Sequence, residues 1–560
     1  MRGDRGRLRV VATVVVVVLA GLGPLTAGAD GVPRGGADRA AVATAGALAD
    51  PSTYPRDPVG GIKGLQPDLV PDKDALAPGL GTVAVNFAWW EWEPTRTPAP
   101  CAPDQVEADG RCYVVPPVID AEVRAWFDRG VPVTGIFYGT PPWARGARPC
   151  SPANPGFEVF CVPDDPVDFA RFVGMIARRY DGARGAGRVT DFVVQNEVDM
   201  NDWFDVGCGQ GVPCDPATWI STYASIYNPT YDVVRAAQPS ARVLISFTHH
   251  FDPVFDAPAA TNPTLSVKTF LTALVPLLGD RQWSIAAHPY PRLPAPVFDA
   301  RDLPFATLGS IGALVGWLRA TFPANPLAGE VQLTEVGLNA PPAYEQLQAE
   351  ALCTAFRNVT GTPGVTSFIY HRLLDQKDEF GLALGLRRID GSAKPAFAVW
   401  HDVNLPGSAR CGFDLLPHTV VQHGLDPVTG AHWYSSRELP SGVVATGEQW
   451  LLSHEVVPGT AMLYECGRGE SSHLSRAVTC EGDVPLGPVG AIGTAAAPGR
   501  TALYRCSAAA TELVTIDPAC EGDQVVLGYV DGEAPPTTTA AVVSPATPVA
   551  SGAVTPAFTG

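Results

Sequence analysis

The stretch VTDFVVQNEVDMNDW, residues 189–203, runs from a largely apolar segment directly into Asn196 and Glu197. Apolar segments of this length are typical of strands buried on both faces, as the strands of parallel sheets are. In a parallel α/β barrel the loops that follow such strands carry the functional groups. A carboxylate at the tip of this strand therefore lies where a barrel would place its active site.

Six more apolar segments occur along the chain, and helical patterns separate them. The clearest helix begins at Asp165 and Pro166, an N-cap and a first-turn proline, and has apolar residues on one face up to Tyr180. Other helices are predicted near 120–129, 217–237, 265–278, 307–321 and 342–357, and a last one from Lys394. The strand segments are 82–89, 131–138, 188–196, 241–248, 282–288, 329–335 and 365–371.

This alternation predicts an α/β fold, a closed (β/α)8 TIM barrel over residues 59–405. The eighth strand would be the short segment IKGLQ at 62–66, with room for only a short helix before Thr82. The chain of 560 residues is long enough for one large domain and a smaller one. Its formal charge of -18, without clustered Lys and Arg, argues against a nucleic-acid partner.

The N-terminus predicts export. Four arginines among the first nine residues precede the apolar run VVATVVVVVLAGLG and then Ala27-Gly28-Ala29, which is the pattern of a signal peptide over residues 1–29. A membrane anchor is the alternative, but Pro24 and nearby glycines interrupt the roughly 20 apolar residues that a span requires. We expect a secreted protein with no membrane span after cleavage, a flexible segment over 30–58, and a disordered Pro/Thr-rich tail over 534–560.

Twelve cysteines fall in neighbouring pairs, which in an exported protein predicts disulfides. Zinc sites would need CxxC or Cys/His spacings, and none occurs. The pairs expected from proximity are 101/112, 150/161, 208/214, 466/480 and 506/520, which leaves Cys353 for Cys411.

The last third of the chain contains an internal repeat. Residues 463–482 and 503–522 align without gaps at a period of 40 residues, and a more diverged unit is predicted around 429–436. Residues 412–533 are therefore expected to form a small disulfide-bonded β-rich repeat domain. Its aromatic residues would either bind glycan or fill a core, while Glu481 and Glu521 are expected to have local roles. The aromatic residues are Trp433, Tyr434, Tyr464 and Tyr504.

The predicted strand ends bring polar and aromatic residues together. Two glutamates, Glu197 and Glu335, each follow an apolar strand and are three strands apart. Such positions face each other across a barrel mouth, with carboxyl groups about 5 Å apart, the spacing of a retaining glycosidase. Aromatic rings stack on sugar faces and polar groups bind sugar hydroxyls. The candidate substrate-binding residues are Asn86, Trp89, Trp143, Asn196, Trp203, His288, Tyr290 and His371.

The motifs VVQNEVDMNDW, YGTPPWA, AAHPY and QLTEVGLN resemble those of clan A retaining (β/α)8 glycoside hydrolases, and of their family 39 branch in particular. The resemblance covers residues 60–405. It implies Glu197 as acid/base, Asn196 as donor to the sugar 2-hydroxyl, and Glu335 as nucleophile with Tyr290 and His288 beside it. The repeats resemble secreted lectin-like repeats.

One departure from the family concerns the eighth strand, where many members have a tryptophan platform and this chain has Tyr370-His371-Arg372. His371 is expected either to bind a sugar hydroxyl or to pair with Asp375. Asp199, Asp202 and Trp203 would contact substrate or cap a loop. The sugar that the better-known members bind does not carry over to this chain.

The sequence thus predicts a secreted retaining glycoside hydrolase that acts on an oligo- or polysaccharide without a cofactor or metal. Two alternatives belong to other classes. One is a non-catalytic glycan-binding or surface-interaction protein on a barrel scaffold. The other is a metal-dependent hydrolase built on His249, His250, His288 and acidic residues, for which no HxH or HExxH spacing occurs.

Overall fold

A computed structural model describes residues 52–55, 61–69, 72–252, 263–291, 295–377, 379, 381–405, 411, 418–508 and 511–531. The predicted signal peptide, most of the 30–58 segment and the 534–560 tail lie outside the described residues. Within residues 52–55, the Tyr54 hydroxyl donates to Asp191 Oδ1 at 2.7 Å. The chain is thus in contact with the barrel before its first strand.

Eight parallel strands close into a barrel in chain order, which confirms the predicted fold class. The short first strand pairs with both the second and the eighth, so the weakest of the predicted strands is the one that completes the ring. The strands are β1 (Lys63–Leu65), β2 (Thr82–Ala88), β3 (Val133–Tyr138), β4 (Val189–Val194), β5 (Arg242–Phe247), β6 (Ser284–Ala287), β7 (Val331–Val336) and β8 (Val365–Tyr370).

Helices surround the barrel close to their predicted positions. Asp165 caps the helix Pro166–Arg179 as predicted: its side chain accepts a hydrogen bond of 2.9 Å from the Val167 backbone N–H. None of the helices among the described residues has the length and apolar composition needed to cross a bilayer. The helices are α1 (Trp89–Trp92), α2 (Pro117–Phe127), α3 (Pro166–Arg179), α4 (Pro216–Ala237), α5 (Val267–Leu278), α6 (Ile311–Thr321), α7 (Glu345–Thr360) and α8 (Pro395–Asp402).

An apolar layer fills the barrel interior, and a polar layer lies above it. The apolar layer consists of Ala84, Ile136, Val193, Leu244, Ala286 and Ile369. Alternate residues of a strand point to the same face, so the residue two positions further on in each strand also faces the interior. Those residues are Asn86, Tyr138, Gln195, Ser246, His288 and His371. The carboxyl ends of the strands therefore open on polar and aromatic groups, while the apolar layer closes the barrel beneath them.

The C-terminal region is an antiparallel β-domain over residues 418–531, in which a long, a short and a long strand follow each other three times. The strands are His418–Leu425, His432–Ser435 and Val444–Ser453; Thr460–Arg468, Ser471–Ser475 and Val484–Gly493; and Arg500–Ala508, Thr511–Thr515 and Asp523–Asp531. Trp433 and Tyr434 are 4% and 0% exposed, so these two aromatic residues fill the core rather than present a sugar-binding face. Glu481 has a local role, since it pairs with Arg505 at 2.8 Å.

All six predicted disulfides are present, including Cys353–Cys411. Cys101–Cys112 ties the two-stranded hairpin Gln105–Ala108 and Arg111–Val114 to the segment before it. Such cysteine usage is typical of proteins that fold in an oxidising compartment.

The β-domain packs closely on α6, and glycine makes this approach possible. A β-carbon at Gly312 would lie 2.5 Å from Leu486 O and 2.6 Å from Arg437 Nη1, while one at Gly316, a helix turn later, would have no neighbour closer than 3.3 Å. Arg437 also pairs with Glu465, and both side chains are buried.

Gly312→Ala is expected to lower the free energy of unfolding by about 1–3 kcal/mol, because a methyl group has no space at this contact. The matched variant Gly316→Ala is expected to change it by less than about 1 kcal/mol. Denaturant unfolding of both variants measures the difference. Equal effects would show that the close contact at Gly312 does not hold the two parts together.

Candidate active site

Glu197 follows β4 on an unusual turn of backbone. Gln195 and Glu197 have φ values of 64° and 39°, which non-glycine residues adopt rarely. The Glu197 backbone N–H donates to Ser246 Oγ at 3.0 Å, and this bond holds the turn against β5. The turn directs the Glu197 carboxylate into the barrel mouth, where its Oε1 lies 2.8 Å from His288 Nδ1.

Glu335 lies near the end of β7, and its Oε1 accepts a hydrogen bond of 2.9 Å from the Tyr290 hydroxyl. Burial raises the pKa of Glu335, but the positive charges of His371 and His288 and the bond from Tyr290 outweigh burial and hold this pKa below its ordinary value. Glu335 is therefore kept as a carboxylate, the form that a nucleophile requires.

The two glutamates are close enough to act on one bond. An oxygen of Glu197, a ring nitrogen of His288 and an oxygen of Glu335 all lie within 4.8 Å of one another. Oε1 of each glutamate is hydrogen-bonded, while Oε2 of each has no hydrogen-bond partner in the described part of the chain. Each carboxylate is thus fixed through one oxygen and keeps the other for a ligand.

His288 lies between the two carboxylates. Its Nδ1 faces Glu197, and its Nε2 lies 3.1 Å from Thr334 Oγ1 and 3.5 Å from Ser246 Oγ. Burial lowers the pKa of His288, but the negative charges of Glu335 and Glu197 outweigh it, so this pKa lies above its ordinary value. His288 and Tyr290 are therefore neighbours of the glutamates, as the sequence motif AAHPY predicts.

His371 differs from both of its predicted roles. Its Nδ1 lies 2.6 Å from Gln66 Oε1 and its Nε2 lies 3.0 Å from Glu379 Oε1, so neither nitrogen is left for a sugar hydroxyl. The expected partner Asp375 instead pairs with Lys394 at 2.9 Å. His371 acts on the site through its charge, which stabilises the Glu335 carboxylate.

Two predicted tryptophans pack against each other, and the burial of Trp89 corrects its prediction as a substrate-binding residue. Trp89 is 0% exposed, and its Nε1 donates to Glu93 Oε2 at 2.9 Å. The Trp143 Nε1 donates to Glu93 O at 2.7 Å, and the Trp143 ring packs edge-on against Trp89. The Arg111 guanidinium lies 5.6 Å from the centre of the Trp143 ring. The Trp89 ring therefore belongs to the packing around α1, while a sugar contact by the partly exposed Trp143 stays a prediction.

Two residues of the segment after Glu197, Asp199 and Trp203, are buried and have structural contacts. Trp203 is 5% exposed and packs against Phe157 and Phe160, with ring centroids 5.3 Å and 5.0 Å away. Asp199 is buried and accepts hydrogen bonds from Thr248; burial outweighs these bonds and raises the pKa of Asp199 to about 7. Trp203 is thus a packing residue, a correction to its predicted place in the substrate site.

Three polar groups at the mouth have no hydrogen-bond partner among the described residues. They are the side-chain amides of Asn86 and Asn196 and the Tyr138 hydroxyl. Asn196 is only 8% exposed, so its unpaired amide oxygen carries a desolvation penalty that a ligand hydroxyl would relieve. The predicted substrate contacts of Asn86 and Asn196 stay predictions, for which these unpaired amides are available.

Several groups that hold the site together follow no motif of the sequence. Glu379 pairs with both His371 and Arg372, and Asp68 pairs with Arg372 from the opposite side. Ser246 and Thr334 contact His288 from neighbouring strands. Ser246 could be found from the sequence, because it lies two residues after Leu244 of the apolar layer and so faces the same side of its strand. No local pattern identifies Glu379, which lies eight residues beyond His371 in the following loop.

A metal site built on His249, His250 and His288 does not match this geometry. Among the described residues, the group at the mouth with metal-ligand spacing is Glu197, His288 and Glu335. His250 Nδ1 lies 2.8 Å from Thr248 Oγ1, and burial lowers the pKa of His250 to about 4. The 2.8 Å from His288 Nδ1 to Glu197 Oε1 is the length of a hydrogen bond, shorter than two ligands stand apart across a tetrahedral ion.

Residues 55–412 match the sequence profile of a family of unknown function, DUF5722, over well more than half of the chain. The chain belongs to this family. No curated protein matches the sequence. In this DUF5722 member, the matched segment spans the whole barrel and both glutamates.

Several solved glycoside hydrolase structures are similar to this DUF5722 protein. A family 39 glycoside hydrolase from Bacteroides cellulosilyticus WH2 has 15% identity and a TM-score of 0.44, covering 78% of this chain and 80% of that one. The exo-β-1,4-mannosidase Op5Man5 from an Opitutaceae bacterium has 18% identity and a TM-score of 0.36, covering 63% and 61%. A family 1 β-glucosidase from Thermotoga maritima has 13% identity and a TM-score of 0.38, covering 59% and 84%. None of these scores reaches 0.5, so the activity must be argued from the site itself.

Proposed function

We propose that the protein is a retaining glycoside hydrolase with Glu335 as nucleophile and Glu197 as acid/base. The observation that carries this proposal is the pair of carboxylates within 4.8 Å at the tips of β4 and β7. Retaining enzymes separate their carboxyl groups by about 5–5.5 Å, whereas inverting enzymes leave about 6.5–9.5 Å for a water molecule. The spacing therefore supports direct attack by Glu335.

In the first step, Glu335 Oε2 attacks the anomeric carbon while Glu197 gives its proton to the glycosidic oxygen. The carbon–oxygen bond to the leaving group breaks, and an ester forms between the sugar and Glu335. The Tyr290 bond fixes the direction of Glu335 Oε2, and His288 does the same for Glu197. Such fixed geometry lowers the entropic part of the barrier.

In the second step, Glu197 has become a carboxylate and takes a proton from water. That water attacks the anomeric carbon of the ester, which releases the sugar with its original configuration and restores Glu335. Asn196 is placed to bind a hydroxyl of the bound sugar, because its buried amide oxygen, which has no protein partner within the described residues, can accept from that hydroxyl while the amide nitrogen donates.

We further propose that the protein acts outside the cytosol, on an oligo- or polysaccharide. The six disulfides and the signal-peptide pattern at 1–29 support export. Glycan contact by the C-terminal repeats remains a prediction, and burial of Trp433 and Tyr434 removes two of the residues considered for it.

Assay of the exported protein on a panel of aryl glycosides and polysaccharides tests the proposal. Release of reducing sugar by wild type and its loss in Glu335→Ala and Glu197→Gln are expected. Unchanged release in both variants would contradict the two-glutamate mechanism, and capture of a polysaccharide without release would favour the non-catalytic alternative.

The acidic limb of the pH profile of kcat/KM is expected to report Glu335. Because a nucleophile must be ionised, activity falls as the pH drops through the pKa of Glu335, which lies below its ordinary value. His371→Gln removes a positive neighbour and is expected to move this limb to higher pH. A matched change, His401→Gln on the outer helix α8, is expected to leave the limb in place; the same shift in both would contradict the role of His371.

A further inference from the structure

We propose that Trp90 and Tyr138 form the platform on which a neutral pyranoside rests beside Glu335. The inference rests on the proposed function and deepens it by naming the substrate class and the residues that bind it. The two-glutamate mechanism gives no role to either residue. Trp90 follows β2 and Tyr138 ends β3, across the barrel mouth from β7, which carries Glu335.

The mouth of the barrel has two walls of different character. On the side of β6 to β8, the polar groups are bonded to protein: His288 to Glu197, Tyr290 to Glu335 and His371 to Glu379. On the side of β2 to β4, the polar groups of Asn86, Tyr138 and Asn196 have no such partner among the described residues. The first wall holds Glu335 and the residues that fix both carboxylates, while the second carries Glu197 together with unpaired polar groups that are available to the sugar.

Trp90 is held as a rigid surface on this second wall. A β-carbon at Gly139 would lie 1.9 Å from Trp90 Cζ3, so the indole packs directly on the Gly139 backbone, whose φ of 87° also favours glycine. The Trp90 ring meets Tyr138 edge-on at 5.7 Å. Trp90 nevertheless stays partly exposed, unlike its neighbour Trp89. One side of the indole is thus fixed by backbone, and the exposed part can stack on a sugar face.

Tyr138 connects this surface to the catalytic carboxylates. Its ring stacks on Phe160 at 6.0 Å, which fixes its orientation. Burial raises the pKa of its phenol, and the negative charges of Glu91 and Glu335 act in the same direction. Tyr138 lies two residues above Ile136 of the apolar layer, in the polar layer that also includes His288, and its register partner on β2 is Ala88, two residues before Trp90.

The chemistry of this wall selects the substrate class. An indole, a phenol and an amide offer an apolar face with neutral hydrogen-bonding groups, which matches an uncharged pyranose ring. Two cations of the mouth, His371 and Arg372, are both bonded to Glu379, and Arg145 in the loop after β3 donates to Thr140 O, so these three are engaged by protein groups rather than by a uronic acid carboxylate. The nearby Glu335 and Glu91 would repel such a carboxylate.

The test compares Trp90→Ala with Trp90→Phe and with Trp317→Ala, a partly exposed tryptophan on the outer helix α6. For a neutral aryl glycoside that wild type cleaves, Trp90→Ala is expected to raise KM by about 10- to 100-fold, the factor that burial of one aromatic side chain contributes. Trp90→Phe should recover most of this loss, and Trp317→Ala should change KM less than about 2-fold. Tyr138→Phe, which removes only a hydroxyl, is expected to raise KM by about 2- to 10-fold.

Calorimetric binding of the same sugar's oligosaccharide to Glu335→Gln proteins, with and without Trp90→Ala, gives a readout independent of turnover. Equal affinities, or a KM within about 2-fold of wild type in Trp90→Ala, would overturn the platform while leaving the hydrolase intact. A wild-type protein that cleaves uronides in preference to neutral glycosides would overturn the substrate class. A wild-type protein that cleaves no glycoside would instead overturn the proposed function on which this inference rests.

Discussion

Glu335→Ala is expected to lower kcat on an aryl glycoside by about 10⁴-fold or more, because the variant has lost the nucleophile of the first step. Little substrate binding should be lost, since Asn86, Asn196 and the aromatic wall are unchanged. The measurement is kcat and KM by release of the aryl group. A fall in kcat without a comparable rise in KM places Glu335 in the chemical step.

Two further measurements sharpen this result. The control Glu330→Gln alters a glutamate just before β7, at the opposite end of the barrel, where it pairs with Arg242 at 3.1 Å. It is expected to keep wild-type turnover. Added azide should restore turnover to Glu335→Ala, because the small anion can occupy the space of the missing carboxylate and attack the anomeric carbon. Wild-type activity in Glu335→Ala without azide would rule out Glu335 as nucleophile.

Glu197→Gln is expected to have an effect that depends on the leaving group. A general acid contributes about 10²–10⁴-fold when the leaving oxygen is basic, as in an alkyl glycoside or an oligosaccharide. An acidic phenol leaves without protonation, so its release in the first step should be affected far less. The measurement is kcat/KM across a series of leaving groups, for the variant and for wild type.

The matched control is Glu158→Gln, an exposed glutamate in the loop after β3. It should follow the wild-type dependence on leaving-group acidity. A Glu197→Gln variant that loses the same factor on every leaving group would show that Glu197 binds or positions the substrate and does not protonate it.

The sequence predicts the barrel and the positions of both glutamates because these depend on local patterns. Buried strands read as apolar runs, and the groups that follow them must gather at one mouth whatever the details of packing. Glu197, Glu335, His288 and Tyr290 were located in this way. The disulfides were predictable for a related reason, since each of five pairs closes a short loop.

The side-chain roles depended on contacts that no local pattern encodes. Trp89 and Trp90 are adjacent, and which of them faces the mouth is decided by where β2 ends and α1 begins. The partner of His371 is Glu379, held in a loop whose path cannot be read from composition, and the nearer Asp375 is taken by Lys394. Trp203 and Trp143 pack against aromatic and charged groups of other loops, so their burial follows from tertiary structure alone.

The configuration of the first product is the most direct test of the account. Proton NMR during cleavage of an aryl glycoside distinguishes the two anomers of the released sugar before they interconvert. The account predicts that the first-formed sugar has the same anomeric configuration as the substrate, because two displacements at one carbon restore it. A first-formed sugar of opposite configuration would contradict attack by Glu335 and indicate a single displacement by water.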